Sequence, residues 1–162
     1  SWLWNGSFHN CNSWICTCLY FDMGYMETQI FMKSGGGCMK RELGIARCGL
    51  ACCLCSENIA CNGCGSSGCP DNDSCENKKC SMKKELTHCY QCDKDCKKGL
   101  LSKIKPYTFT LFAKKYGEEK LLDCLERNEK KGIVYHREGI NGDYDEFDDV
   151  EKLMKFIMTG ER

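Results

Sequence analysis

Cys48-Gly49-Leu50-Ala51-Cys52-Cys53-Leu54-Cys55 opens a run that holds twelve of the chain's seventeen cysteines. The run continues through Cys61-Asn62-Gly63-Cys64, Cys69, Cys75 and Cys80, and closes on Cys89-Tyr90-Gln91-Cys92-Asp93-Lys94-Asp95-Cys96. Cys61/Cys64 and Cys89/Cys92 are C-x-x-C pairs, whose bite grips one tetrahedral metal from two sides. Disulfides persist in oxidising compartments, whereas reduced thiols bind metal or do chemistry. The first residues carry no basic-then-apolar leader pattern, and no stretch of about 18 apolar residues suggests a membrane span. The expectation is therefore a cytoplasmic protein with no membrane partner, its thiols held by metal.

Soft thiolates select zinc, copper(I) or iron–sulfur clusters. A ferredoxin-type cluster wants C-x2-C-x2-C-x3-C-P. Cys61-x-x-Cys64 with Cys69-Pro70 has the proline without the spacing, and Cys89-x-x-Cys92-x-x-x-Cys96 has the spacing without the proline. Zinc is the preferred reading, one to three ions, with an iron–sulfur cluster as the alternative. Between Cys48 and Cys96 the larger apolar residues are only Leu50, Leu54, Ile59, Met82, Leu86 and Tyr90. So small an apolar set does not offset chain entropy. A structural zinc, with about 10–16 kcal/mol of apparent binding free energy, would.

Outward from the cysteines the text changes on both sides. Residues 1–38 contain all three tryptophans and a single basic residue, Lys33, and show no helical or strand period. Gly35-Gly36-Gly37 stands just before Met39, where glycine codons can spell a ribosome-binding site. The expectation is that translation starts at Met39 and that 1–38 is upstream sequence read in frame. The other reading is a genuine extension whose Cys11, Cys16, Cys18 and Cys38 form a further knuckle. Residues 39–99 make the metal-binding region.

Residues 100–162 read as a helical part. Phe109, Phe112, Ala113 and Tyr116 repeat at i, i+3, i+4, i+7, with Pro106 in the first turn and Gly117 at the end. Glu118 and Glu119 open a second helix through Leu121, Leu122 and Leu125, closed by Lys130, Lys131 and Gly132. Cys124 on it reads as a buried apolar residue. Ile133-Val134-Tyr135 reads as a short strand and Asn141-Gly142 as a turn. Asp148-Asp149-Val150-Glu151 resembles a capping box begun by Asp148, opening a helix with Val150, Leu153, Met154 and Ile157 on one face. The predicted fold class is thus small α+β and metal-stabilised. An irregular zinc-knuckle region packs on about three helices with a short strand or hairpin, using Leu50, Leu54 and Ile59.

The cysteine order resembles the Domain of Unknown Function 3795 family. Its C-G-L-x-C-x-x-C opening matches Cys48 to Cys55, and its C-x-G-C step matches Cys61 to Cys64. Two spaced cysteines follow, Cys75 and Cys80, then a closing C-x-x-C-x-x-x-C at Cys89, Cys92 and Cys96. Cys53 and Cys69 are additional to the pattern. The resemblance implies a zinc-binding protein. It makes Cys48, Cys52, Cys55, Cys61, Cys64, Cys75, Cys80, Cys89, Cys92 and Cys96 the candidate ligands, and it supplies no catalytic residues.

A basic run, Lys78, Lys79, Lys83, Lys84, Lys94, Lys97, Lys98, Lys103 and Lys105, flanks the cysteines, and a nucleic-acid surface is one reading of it. The other is a solvated face that offsets thiolate charge, which suits a formal net charge of zero. His88 is a candidate fourth ligand beside three cysteines, and His136 reads as a packed histidine. Gly-rich phosphate loops, nucleophile elbows and zinc-protease helices do not occur. All-cysteine sites are closed and structural. The functional expectation is a non-enzymatic binding or adaptor module with a protein partner. Thiol or iron–sulfur redox chemistry and nucleic-acid binding are the alternatives.

Overall fold

The computed structural model describes residues 39–56, 61–64, 69, 73–137 and 141–162. The reading of residues 1–38 as upstream sequence and the packing role of Ile59 lie outside the described residues.

Among the described residues four α-helices carry the fold: α1 (Glu76–Lys83), α2 (Ile104–Tyr116), α3 (Glu118–Lys130) and α4 (Val150–Thr159). Short 3-10 turns punctuate it at Arg41–Leu43, Cys52–Leu54, Cys89–Gln91, Gly99–Ser102 and Asp143–Asp145. Helices α2, α3 and α4 pack on one another. Gly117 alone joins the first two. Its N–H caps Ala113 at the end of α2, and its carbonyl accepts from Leu121 in α3.

The core is the meeting of the three apolar stripes. Phe109, Phe112 and Ala113 of α2, Leu121, Leu122, Cys124 and Leu125 of α3, and Leu153, Phe156 and Ile157 of α4 are all buried. Each large side chain so buried contributes roughly 1.5–3 kcal/mol of transfer free energy. Tyr116, at the end of the α2 stripe, is exposed instead. Asn128 of α3, like Thr108 of α2, is a polar side chain fully closed in among them. Its amide donates to Tyr144 Oη and to Ile157 O, so its burial is hydrogen-bonded. Arg127 reaches Ile157 O and Met158 O, carbonyls at the open end of α4.

The cysteine-rich segment shares this core. Ile45, Ala51 and Cys53 belong to it, and Leu54 and Tyr90 pack at its margin. Leu50 is half-buried.

Three expectations are corrected. The α+β class gives way to a helical fold, because among the described residues there is no strand. Ile133–Tyr135 does run back against the segment after Asn141, with Asp143 N donating to Val134 O (2.8 Å) and Arg137 N to Asn141 O (2.8 Å). The bonds that would extend this into a ladder go elsewhere. Ile133 N caps Asn128 O of α3, and Val134 N donates to the Asp143 carboxylate at 2.6 Å. Gly142 permits the close approach, since a Cβ there would lie 2.1 Å from Tyr135 O. The α4 cap is Asp149, whose carboxylate accepts from Lys152 N at 2.9 Å; Asp148 stands one residue too early, and Lys152 at the third helical position cannot close a capping box. Finally, the cysteine region is not wholly irregular, for it contains α1.

Candidate metal centre

Among the described residues the cysteine segment holds two knuckles of the same design. In each, a 3-10 turn begins on one cysteine and is closed by another. Cys52–Leu54 is closed by Cys55 N donating to Cys52 O (3.2 Å), and Cys89–Gln91 by Cys92 N donating to Cys89 O (3.1 Å). The second residue of each turn anchors it to the helices. Cys53 is 2% exposed in the core, and Tyr90 packs against the core and donates from its hydroxyl to Glu118 at 2.9 Å. Burial pushes the Cys53 thiol up to about 12, so it behaves as a small apolar residue.

The first knuckle is fastened to the helical part on three sides. Thr110 Oγ1 donates to Cys48 O (3.1 Å), and Ala51 N donates to Tyr135 Oη (2.9 Å), both out of water. Gly49 lies directly on α2 with φ +87°, and a Cβ there would sit 2.5 Å from Thr110 Oγ1 and 2.7 Å from Pro106 O. The glycine of the C-G-L motif is thus the contact point between cysteine loop and helix.

Arg47 gathers the pieces. Its N–H donates to the Cys64 sulfur, its carbonyl accepts from Cys89 N (2.7 Å), and its guanidinium donates to Ser81 Oγ (3.1 Å) and Leu86 O (2.6 Å). Helix α1 is also docked through polar groups: Asn77 donates to Lys98 O (3.0 Å) and accepts from Leu100 N (2.9 Å).

Each expected ligand has a defined place. Cys48 is 3% exposed, and burial pushes its thiol up to about 12. Cys52 and Cys64 share a hydrogen bond that raises Cys52 and lowers Cys64. Cys55, Cys61 and Cys96 are half-buried, and so is the extra Cys69. Cys75 is the N-cap of α1 and accepts from Lys78 N at 3.4 Å, while Cys80 is exposed on that helix. Burial raises Cys89 to about 11. Cys92 is held low by the Lys94 N–H and by the Lys84 ammonium, which lies 3.3 Å from its sulfur.

The structure gathers these thiols into neighbourhoods. Cys52 feels the charges of Cys64, Cys61 and Cys48. Cys89 feels those of Cys96, Cys80, Cys92 and Cys75. Cys48 feels those of Cys64, Cys75 and Cys89. As the thiols lie, among the described residues no group of three or more His, Cys, Asp or Glu is close enough to hold one ion. A zinc bound at about 2.3 Å by each sulfur needs them roughly 3.8 Å apart. In chemistry the donor set does fit a thiophilic metal. Cys52, Cys61, Cys64, Cys80, Cys89, Cys92 and Cys96 are free thiols, and the backbone N–H groups of Arg47 and Lys94 are aimed at the sulfurs of Cys64 and Cys92, as donors that orient and stabilise thiolate ligands are; those of Leu50 and Lys78 are aimed at Cys48 and Cys75.

His88 is engaged differently from a ligand: Nε2 lies 3.2 Å from Ile45 O and Nδ1 3.2 Å from Thr87 Oγ1. His136 is buried against Tyr135, their rings 4.5 Å apart. The basic run is divided. Lys105 is buried, its ammonium 2.7 Å from Asp145 and over the Tyr135 ring, and Lys84 turns to Cys92. Lys79 and Lys83 remain exposed on α1 beside Met82, itself 56% exposed. Cys64 lines a cleft of about 470 Å³ with Arg41, Arg47, His88 and Glu118. The roles of Arg47, Lys84 and Gly49 escape a sequence reading. The glycine of the C-G-L motif is the only one of these that carries a signal there.

No family model, curated protein or solved structure matches the chain. Among the described residues no helix is long and apolar enough to cross a membrane.

Proposed function

We propose that the chain is a zinc-binding protein whose metal closes the cysteine-rich segment over the helical part, and that it works as a non-enzymatic binding or adaptor module for a protein partner. The observation that carries this reading is the reduced thiol set of the cysteine segment, in which Arg47 directs its N–H at the Cys64 sulfur, the Lys94 N–H is directed at Cys92, and the Arg47 carbonyl accepts from Cys89 N. The resemblance to the Domain of Unknown Function 3795 family points the same way. Zinc supplies crosslinking here: it replaces the apolar surface that residues 48–96 lack. The chain's own residues supply the rest. Leu50, Arg47, Lys94 and Lys78 N–H groups satisfy sulfur lone pairs, Lys84 offsets thiolate charge, and Thr110 and Tyr135 tie the loop to the core. Elemental analysis of protein purified without added metal tests the proposal. At least one zinc per chain is expected. Less than one, or intact disulfides by mass spectrometry under non-reducing conditions, refutes it.

A second reading is favoured by one observation. Cys52 and Cys64 share a hydrogen bond, and Cys64 opens on the cleft, as an attacking thiolate and its partner would. Rapid, selective alkylation of Cys64 with zinc retained would support thiol exchange. Uniform protection of the cysteines would exclude it.

A further inference from the structure

Deepening the zinc-binding reading on which it rests, we infer that the cysteines serve two separate thiolate centres, each built on one knuckle: Cys52, Cys55, Cys61 and Cys64 in the first, Cys80, Cys89, Cys92 and Cys96 in the second. Each knuckle presents a cysteine at both ends of a 3-10 turn and is held down by its second residue, Cys53 buried in the core or Tyr90 packed at its margin. A knuckle supplies two sulfurs of a tetrahedral set and needs two more.

The two knuckles draw on different sulfurs. Cys52 of the first is hydrogen-bonded to Cys64 and lies near Cys61. Cys89 of the second lies near Cys80 and Cys96, and Lys84, bonded to Cys92, feels the same Cys80 and Cys96. The two sets share no member.

Arg47 stands between them. It gives its N–H to Cys64 of the first set, takes the N–H of Cys89 of the second on its carbonyl, and holds Ser81, next to Cys80, with its guanidinium. A residue bonded at once to both groups fixes their separation. Cys48 and Cys75 lie at the same boundary and have structural partners there. Cys48 is buried beneath Thr110, and Cys75 caps α1. They are wall residues of the two centres, outside both ligand sets, and the Leu50 and Lys78 N–H bonds to their sulfurs serve the fold of the wall.

Native mass spectrometry of the full chain, purified without added metal, should count two zinc ions. The pairs Cys52→Ser/Cys55→Ser and Cys89→Ser/Cys92→Ser should each retain one. Because a ligand variant can fail to fold, the parent protein carries the deciding measurement. Under a limiting chelator, alkylation mapped by peptide mass spectrometry should open the cysteines in two blocks, Cys52/Cys55/Cys61/Cys64 and Cys80/Cys89/Cys92/Cys96. One zinc in the parent, or two with blocks that mix these sets, overturns the partition and leaves zinc binding standing. A parent chain without zinc overturns the zinc-binding reading and this inference with it.

Discussion

Replacing Gly49 with alanine tests the joint between the cysteine loop and the helices. Gly49 adopts φ +87°, and its Cβ would meet Thr110 Oγ1 at 2.5 Å, Pro106 O at 2.7 Å and Thr110 N at 3.0 Å. The left-handed backbone costs an L-residue about 1–2 kcal/mol. Pushing a methyl into packed backbone costs about 1–3 kcal/mol more. Gly49→Ala should therefore lose about 2–5 kcal/mol, a large share of the roughly 5–15 kcal/mol that holds a domain together. At roughly 3–4 °C per kcal/mol for a chain of this size, the midpoint falls by about 6–20 °C. Thr110→Ala alone removes the bond to Cys48 O and costs about 1 kcal/mol. In the double variant the closest clash is gone, while Pro106 O still opposes the methyl. Urea unfolding of all four proteins at one fixed free zinc concentration should then show coupling of about 0.5–3 kcal/mol in the relieving direction. A Gly49→Ala loss under about 0.5 kcal/mol, or strict additivity with Thr110→Ala, would show that the loop does not sit on α2 as described.

Three further substitutions probe the elements that hold the site. Tyr135→Phe removes the acceptor of the buried Ala51 N–H and should cost about 1–3 kcal/mol by urea unfolding; a neutral effect would place Ala51 in water. Asp149→Ala should cost about 0.5–2 kcal/mol through loss of the α4 cap while Asp148→Ala costs almost nothing, and the reverse order would restore the cap to Asp148. Lys105→Met should destabilise more than Lys103→Met in a thermal melt, because only Lys105 is buried against Asp145 and Tyr135; equal melting points would return Lys105 to the surface.

Where apolar spacing governs packing, the sequence was readable. Phe109, Phe112 and Ala113, the three leucines of α3, and Leu153 with Ile157 form the core that their spacing predicts. Helix α1 was not readable, because it docks through Asn77 and Ser81 and has no apolar stripe to detect. Ile133-Val134-Tyr135 has strand composition, yet a carboxylate nine residues away takes the Val134 N–H. Such a tertiary competitor leaves no local mark. Lys105 sits in a basic run that looks solvated, and only the partner loop carrying Asp145 makes it a buried residue. For the cysteines, spacing identifies the C-x-x-C pair at Cys89 and Cys92. It leaves Cys53 indistinguishable from a ligand, because burial in the core decides its role.

Hydrogen exchange of the full chain with and without chelator is the most direct test of the claim that metal closes the cysteine segment onto the helical core. If it does, stripping zinc should speed exchange around Ala51 and Cys53 and also across Leu121–Leu125 and Leu153–Ile157, which share a core with them. Unchanged protection in α3 and α4 after complete metal removal would mean that the helices stand without the thiolate centres, contradicting the account.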